Sequence, residues 1–177
     1  VKTYVLTITK PAHGTITRVD NAGVAVAGAG ALSCATADLT NCTKTLDVDT
    51  AVKLKVVADS TWRFDAWGNA CTGELTTTCS LTMTADKTVS ATFVKTYVLT
   101  VTASVGGSVK TIDGSGNAIA GIDCTSAGGA GCSKVYDVST ALTLKAFPSS
   151  GYRFGAWATD CAGTDPTCSL TMSGDKA

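Results

Sequence analysis

The sequence predicts an all-β chain of two tandem, small, disulfide-stapled domains placed end to end. Three observations carry that expectation. Apolar and polar residues alternate with period two in short runs bounded by turn residues. Eight cysteines fall into two sets of four with nearly the same spacing. No segment holds apolar residues at helical spacing over three turns.

The duplication is direct. Val1-Lys2-Thr3-Tyr4-Val5-Leu6-Thr7 returns without a gap as Val94-Lys95-Thr96-Tyr97-Val98-Leu99-Thr100, and Arg63-Phe64-Asp65-Ala66-Trp67 returns as Arg153-Phe154-Gly155-Ala156-Trp157. Cys124, Cys132 and Cys161 lie 90 residues after Cys34, Cys42 and Cys71, and Cys168 lies 89 after Cys79. Solenoid coils repeat every 20–50 residues or so, and this repeat is a whole domain. The expected domains are 1–94 and 95–177, the second without a counterpart of the last strand of the first. Domains this small bury a thin core. Only 6% of the residues are aromatic although 45% are hydrophobic, so each inward side chain removes little area from water and cross-links are needed.

Taken in order, Tyr4, Leu6 and Ile8 alternate with Val5, Thr7 and Thr9, a strand with one core face. Pro11-Ala12-His13-Gly14 breaks it and a second strand resumes over 15–19. Asp20-Asn21-Ala22-Gly23 reads as a turn, matched by Asp113-Gly114-Ser115-Gly116. The apolar stretch 22–32 is short and rich in Ala, Val and Gly, and reads as a loop or β-arc. A loop bearing the first cysteine pair follows, with room for one helical turn. Val52, Leu54 and Val56 then point one way and Lys53 and Lys55 the other, a pattern repeated by Leu142 and Leu144 against Thr143 and Lys145. The Arg-Phe-x-Ala-Trp strand is expected in both copies, followed by the second cysteine loop. Leu81 and Met83 make a further strand, and Val89, Ala91 and Phe93 face inward in the closing one. No Gly, Pro or Ser linker separates Phe93 from Val94, and 88–102 reads as one extended run that would couple the domains stiffly.

Fourteen basic and fourteen acidic residues cancel, and no basic block is present, so no nucleic-acid partner is expected. No run is long and apolar enough for a membrane span. No leader is visible, and because Val1 matches an internal repeat start the chain reads as a mature or excised piece of something longer. Cysteine spacings of seven, seven, seven and six residues, with His13 the only histidine, favour disulfides over metal and an extracellular location. Four cysteines per domain allow three connectivities. The local one is expected: Cys34–Cys42, Cys71–Cys79, Cys124–Cys132 and Cys161–Cys168.

Tyr-x-Leu-Thr-x-Thr, a cysteine pair, the Arg-Phe-x-Ala-Trp strand, a second cysteine pair, Leu-Thr-Met and Ala-Thr-Phe together carry a family resemblance. Anchored at Phe64-Asp65-Ala66-Trp67 with Cys71 and Cys79, and at Phe154-Gly155-Ala156-Trp157 with Cys161 and Cys168, the chain resembles the divergent internalin-type B-repeat, or bacterial repeat domain, over both copies. The family often has Gly-Trp where this chain has Ala66-Trp67 and Ala156-Trp157. The resemblance implies compact β-rich modules without catalytic residues, on the bacterial surface or secreted, as spacers, stalks or adhesive parts.

Candidate sites are few. Trp62 and Tyr152, at the entrance of the Arg-Phe-x-Ala-Trp strand, are the candidate ligand-facing aromatics; Phe64, Trp67, Phe154 and Trp157 are read as core lids over the cysteine loops. Asp113-Gly114-Ser115-Gly116-Asn117 faintly resembles a calcium loop but lacks the following acidic ligand, so a turn is favoured. His13 is read as a surface turn residue whose counterpart lies near Ser104-Val105, and Asp47, Asp49 and Asp137 as turn residues before strands. No catalytic residue, metal or cofactor is expected.

The closing strand 89–93 has no counterpart after Lys176-Ala177, which leaves an apolar groove and an unpaired edge. Three explanations compete: a longer repeat array, a strand supplied by another molecule, and a natural end with a degenerate strand. The expected function is that of a non-enzymatic structural repeat of a bacterial surface stalk, adhesin or fibre, polymerising head to tail if strands are donated. Its partners would be copies of itself or flanking repeats. The alternative is a carbohydrate-binding module of a secreted protein, with surface glycans as partners.

Overall fold

A computed structural model describes residues 1–37 and 40–177 of the chain. The expectation of a helical turn between Cys34 and Cys42 falls in part on residues 38 and 39, outside the described residues. Among the described residues the structure is all-β, with two short 3-10 turns at Gly28–Gly30 and Ala130–Cys132. It divides into two compact units, Val1–Val94 and Lys95–Ala177. Among the described residues no helix is long and apolar enough to cross a membrane.

Unit 1 is two four-stranded sheets sharing one core. The first contains β1 (Thr3–Ile8), β4 (Thr43–Asp47), β6 (Trp62–Asn69) and the first half of β8 (Lys87–Thr100). Its order runs β4-β1-β8-β6, with β4 antiparallel to β1 and β8 parallel to β1. The parallel register sets Leu6 beside Lys87, Thr7 beside Thr88 and Ile8 beside Val89. The second sheet, in order β3-β2-β5-β7, contains β2 (Gly14–Val19), β3 (Ser33–Ala35), β5 (Ala51–Ala58) and β7 (Thr78–Thr82), all antiparallel. Side chains of both sheets meet in the middle. Leu6, Ile8, Leu46, Trp67 and Val89 come from one side, and Ile16, Cys34, Val52, Leu54, Val56 and Cys79 from the other. The strict alternation of β5, with Val52, Leu54 and Val56 buried, is the pleat bringing every second residue to that core.

Unit 2 repeats the plan with β9 (Gly107–Ile112), β10 (Ala118–Thr125), β11 (Ser133–Asp137), β12 (Ala141–Pro148) and β13 (Thr167–Thr171). One sheet runs β10-β9-β12-β13; β11 pairs antiparallel with residues 96–100 of β8. Leu99, Val101, Val109, Ile122, Leu142, Leu144 and Met172 form its core. Four disulfides close local loops: Cys34–Cys42, Cys71–Cys79, Cys124–Cys132 and Cys161–Cys168.

Three expectations are corrected, and one further difference between the units emerges. The first cysteines are not in loops: Cys34 lies within β3 and Cys124 within β10. Asp47 and Asp137 precede β5 and β12 as expected, but each is the last residue of a strand, β4 or β11, which the sequence hid because each offers too few inward apolar residues to show a period. Beyond the second turn, the counterpart of the unit 1 apolar loop is the strand β10, which carries a register irregularity between Ala118 and Asp123. Lastly, the second Arg-Phe-x-Ala-Trp segment is not a strand: over 152–159 only Trp157 makes a bridge, to Gly163. In unit 1 this segment is a strand because β8 pairs with it. Residues 1–177 offer unit 2 no equivalent of 89–93 to do the same.

Phe93 packs over a glycine that cannot change. A β-carbon at Gly14 would stand 2.5 Å from the Val57 carbonyl oxygen and 2.7 Å from the Phe93 ring. Gly14→Ala is therefore expected to cost about 1–3 kcal/mol by overpacking, read as a lowered denaturation midpoint for the Trp62/Trp67 fluorescence. An unchanged midpoint would mean that the closing strand is not seated there.

Candidate functional site

Each unit builds an aromatic corner next to its second disulfide. In unit 1, β6 turns Trp67 into the core at 5% exposure, where it clusters with Cys71 and Cys79. Its indole N–H donates to the Thr76 carbonyl at 2.8 Å, fixing the cysteine loop to the ring. Phe64 tilts against it at 5.4 Å, and Phe93 meets Phe64 edge-on at 6.5 Å, both within the range in which ring quadrupoles attract. Unit 2 repeats the corner: Trp157 donates to the Asp165 carbonyl at 2.8 Å and Phe154 tilts against it at 5.2 Å. Phe64, Phe154 and Trp157 are half-buried.

Trp62 and Tyr152 occupy matching places in the two units. Trp62 is half-buried, and His13 stacks on its indole at 3.5 Å with the planes 8° apart. Tyr152 is 58% exposed, and its ring lies over Gly106, where a β-carbon would come within 2.2 Å of it. The backbone beneath is duplicated too. Asp59 N–H donates to the His13 carbonyl and Trp62 N–H to Asp59; Ser149 N–H donates to Gly106 and Tyr152 N–H to Ser149. The counterpart of His13 is thus Gly106, not the Ser104-Val105 region. Gly106 has φ +91°, and the absence of a side chain lets the tyrosine ring settle on the turn. Trp62 uses one face on His13, which leaves Tyr152 as the barer of the two rings.

A concave feature lies in unit 2. A groove of about 430 Å³ is lined by Leu99, Val101, Ala146, Trp157, Leu170 and Ala177, among others. Its position in unit 1 is filled by the closing strand, with Val89 fully buried and Ala91 and Phe93 packed on the core. The approach to both places is the same. Asp86 accepts the Val5 N–H at 2.8 Å, and Asp175 accepts the Val98 N–H at 2.8 Å. In unit 2 the parallel ladder begins at Leu99 and Lys176: Lys176 N–H donates to Val98 at 2.9 Å and Thr100 N–H to Lys176 at 2.8 Å. Asp160 anchors this tail, accepting the Ala177 N–H at 2.8 Å and the Lys176 ammonium at 3.1 Å. Those contacts, the Ala177 N–H foremost, hold the Asp160 carboxyl below its ordinary range, against the opposing effect of partial desolvation.

The remaining polar candidates are structural. Asp113 accepts the N–H groups of Asn117 and Ser115 and the Asn117 amide, which spends its carboxylate on the turn and lowers its pKa, the Asn117 N–H contributing most. Among the described residues no three His, Cys, Asp or Glu side chains gather as a metal-binding group.

A family model, the divergent InlB B-repeat domain, matches residues 35–96 and 121–177. Both matched segments begin in or beside the strand bearing the first cysteine of a unit; the β1–β2 region and its repeat at 97–120 lie outside them. None of the curated proteins matches the chain. A solved structure, the Bacillus anthracis TIE protein, is similar at a TM-score of 0.29 and 8% identity, a likeness too slight to bear on fold or function. The comparison covers 98% of this chain and 32% of that one, so this chain spans about a third of its length.

The Asp160 anchor gives a pH prediction. A carboxyl depressed in the folded state stabilises fully above its unfolded value, near 3.8, and loses that contribution as pH falls through the folded value. Exchange protection of the Ala177 amide is expected to persist at neutral pH and to disappear on acidification below 3.8. Asp160→Asn should remove most of that pH dependence; an unchanged profile in this variant would rule the anchor out.

Proposed function

Because the chain belongs to the divergent InlB B-repeat family, we propose that it works outside the cell as a non-enzymatic structural stretch of a bacterial surface stalk, adhesin or fibre. One observation supports this reading above the others: the specialised geometry comes in duplicate. Two local disulfides, a tryptophan tied to the second cysteine loop, a ring seated on a turn, and an aspartate gripping the first strand occur in each unit. Catalysis generally needs one asymmetric set of groups, whereas a load-carrying module needs only copies of itself. Disulfides persist in oxidising compartments, which agrees with a place on the surface or in the medium. The mechanism is mechanical. Backbone ladders resist extension, and each bridge stops the residues it encloses from paying out when a unit yields. Copies could be joined head to tail by strands lent to unit 2.

A glycan-binding module is the second reading, favoured by the exposure of Tyr152. Sugar rings stack on such faces, and Tyr152→Ala should abolish any glycan-array signal if this reading holds.

Single-molecule pulling tests the mechanical reading. A bridge with a sequence separation of eight should withhold about 20–25 Å of contour length, given about 3.3–3.6 Å per extended residue less the 4.6 Å Cα–Cα span that the bridge itself keeps. Unfolding steps are therefore expected to lengthen by about that amount per bridge once a reductant is added. Equal step lengths with and without reductant would refute load-limiting bridges, and failure of a membrane-impermeant label to reach the protein on intact cells would refute the surface location.

A further inference from the structure

The second disulfide loop of unit 2 encloses a peptide bond that its counterpart in unit 1 does not have. Of the chain's three prolines, Pro166 is the one that follows an aspartate, and Asp165-Pro166 lies between Cys161 and Cys168. Two properties make such a bond weak. The aspartate carboxylate reaches its own carbonyl carbon by closing a five-membered ring, an intramolecular attack of high effective concentration. The proline nitrogen carries two alkyl substituents and no N–H, so it takes up a proton and departs more readily than the nitrogen of an ordinary peptide.

The fold poises this bond from both sides. The Trp157 indole N–H donates to the Asp165 carbonyl oxygen at 2.8 Å, the oxygen that gains negative charge when that carbonyl is attacked. The Asp165 side chain bends back across the bond: its Oδ1 accepts the Thr167 N–H at 2.8 Å and the Thr167 hydroxyl at 2.7 Å, both from the residue beyond the proline. Both contacts fall on one carboxylate oxygen, which leaves Oδ2 to attack. On the far side the Ala146 N–H donates to the Pro166 carbonyl at 2.9 Å and ties that residue to β12. Asp165, Pro166 and Thr167 are exposed, so water reaches the bond.

Unit 1 builds the same loop around a different bond. The Trp67 N–H holds the Thr76 carbonyl at 2.8 Å, and the Thr76 hydroxyl bonds to Thr78, at the places of Asp165 and Thr167. That grip forms with the closing strand of unit 1 seated, so it does not depend on the open groove of unit 2. Thr76-Thr77 has neither the carboxylate nor the proline.

We propose that Asp165–Pro166 is a self-cleavage site, at which the Asp165 carboxylate cuts its own backbone in mildly acidic water and the Cys161–Cys168 bridge keeps the two pieces joined. Oδ2 attacks the Asp165 carbonyl carbon while Trp157 holds the oxyanion. The C–N bond breaks as the Pro166 nitrogen takes a proton from solvent, which leaves a cyclic anhydride at residue 165. One water opens the anhydride, restoring the side-chain carboxyl and giving a new α-carboxyl. The balance is one water consumed per bond cut, in a single turnover with no redox change. The Asp165 carboxyl lies below its ordinary range, through the Thr167 hydroxyl foremost and the Thr167 N–H next, against the opposing effect of desolvation. It therefore stays ionised at acidities that favour protonation of the leaving nitrogen. The charged groups on neighbouring elements are Lys145, across the β12–β13 ladder from Thr167, and Arg153, Asp160 and Lys176 on the flanking segments, the last two paired with each other. After the cut, everything from Pro166 onward hangs on one sulfur–sulfur bond, and the continuity of the chain becomes sensitive to reductant.

Cleavage is followed by mass spectrometry of the oxidised 177-residue chain, held at neutral pH and just above 3.8, the ordinary aspartate value. On the acidic side the intact mass should rise by one water, and reduction should then release residues 166–177 as a peptide beginning at Pro166. Thr76-Thr77 should stay whole. The folded chain should be cut about tenfold faster, or more, than the same disulfide-bonded chain unfolded in denaturant, in line with the worth of one oxyanion donor. Trp157→Phe keeps a ring and loses the N–H, so its rate should fall toward the unfolded one. Pro166→Ala leaves the tryptophan's grip in place and should slow the cut through the poorer leaving group. The folded-against-unfolded comparison needs no variant, so a substitution that fails to fold leaves it standing. A folded rate equal to or below the unfolded rate, undiminished cutting in folded Trp157→Phe, or a cut at any other bond would overturn the proposal.

Discussion

The parallel pairing of a unit's first strand with its last organises everything else in unit 1. Leu6, Thr7 and Ile8 lie beside Lys87, Thr88 and Val89, so residues some eighty positions apart must meet side by side before the core can be roofed. Parallel neighbours cannot be joined by a tight hairpin. The intervening strands therefore travel out through the second sheet and back, and both disulfides fall on that excursion. Asp86 secures the meeting by taking the Val5 N–H just before the ladder begins. Once the strand is in place, β6 gains a partner, Trp67 gains a wall, and Phe93 can settle on Gly14.

Unit 2 separates what depends on that pairing from what does not. Its antiparallel sheet, both its bridges and the hold of Trp157 on the Asp165 carbonyl form with the parallel ladder barely begun at Leu99 and Lys176. The segment 152–159, by contrast, repeats a strand sequence without becoming a strand. Strand identity at that position is conferred by a neighbour, and the sequence supplies only suitability.

This divides what could be read from the sequence and what could not. The inward sets Leu6/Ile8, Val52/Leu54/Val56 and Leu142/Leu144 were legible because alternation over several residues has one geometric meaning. The edge strands β4 and β11 were not, since Thr43–Asp47 buries only Leu46 and Ser133–Asp137 buries no residue fully. The two turn aromatics were found as residues, but their setting was missed. The match of His13 to Gly106 requires an offset of 93, whereas the cysteines align at 90, and the slip falls in the loop between. A histidine and a glycine share no chemistry that a sequence comparison would notice. They share a role, as a platform for the ring at Trp62 or Tyr152. The groove was anticipated as a missing strand; its lining needed coordinates.

The parallel arrangement also decides how unit 1 meets tension. Because its first and last strands point the same way, a pull on the two ends of the unit drags them past each other along their length. The hydrogen bonds between them, Thr9 to Val89 included, are then strained together and must fail together. A hairpin opened from its free ends would instead lose its bonds one by one, at far smaller load. The direction of two short strands thus makes unit 1 a latch loaded in shear rather than a zipper.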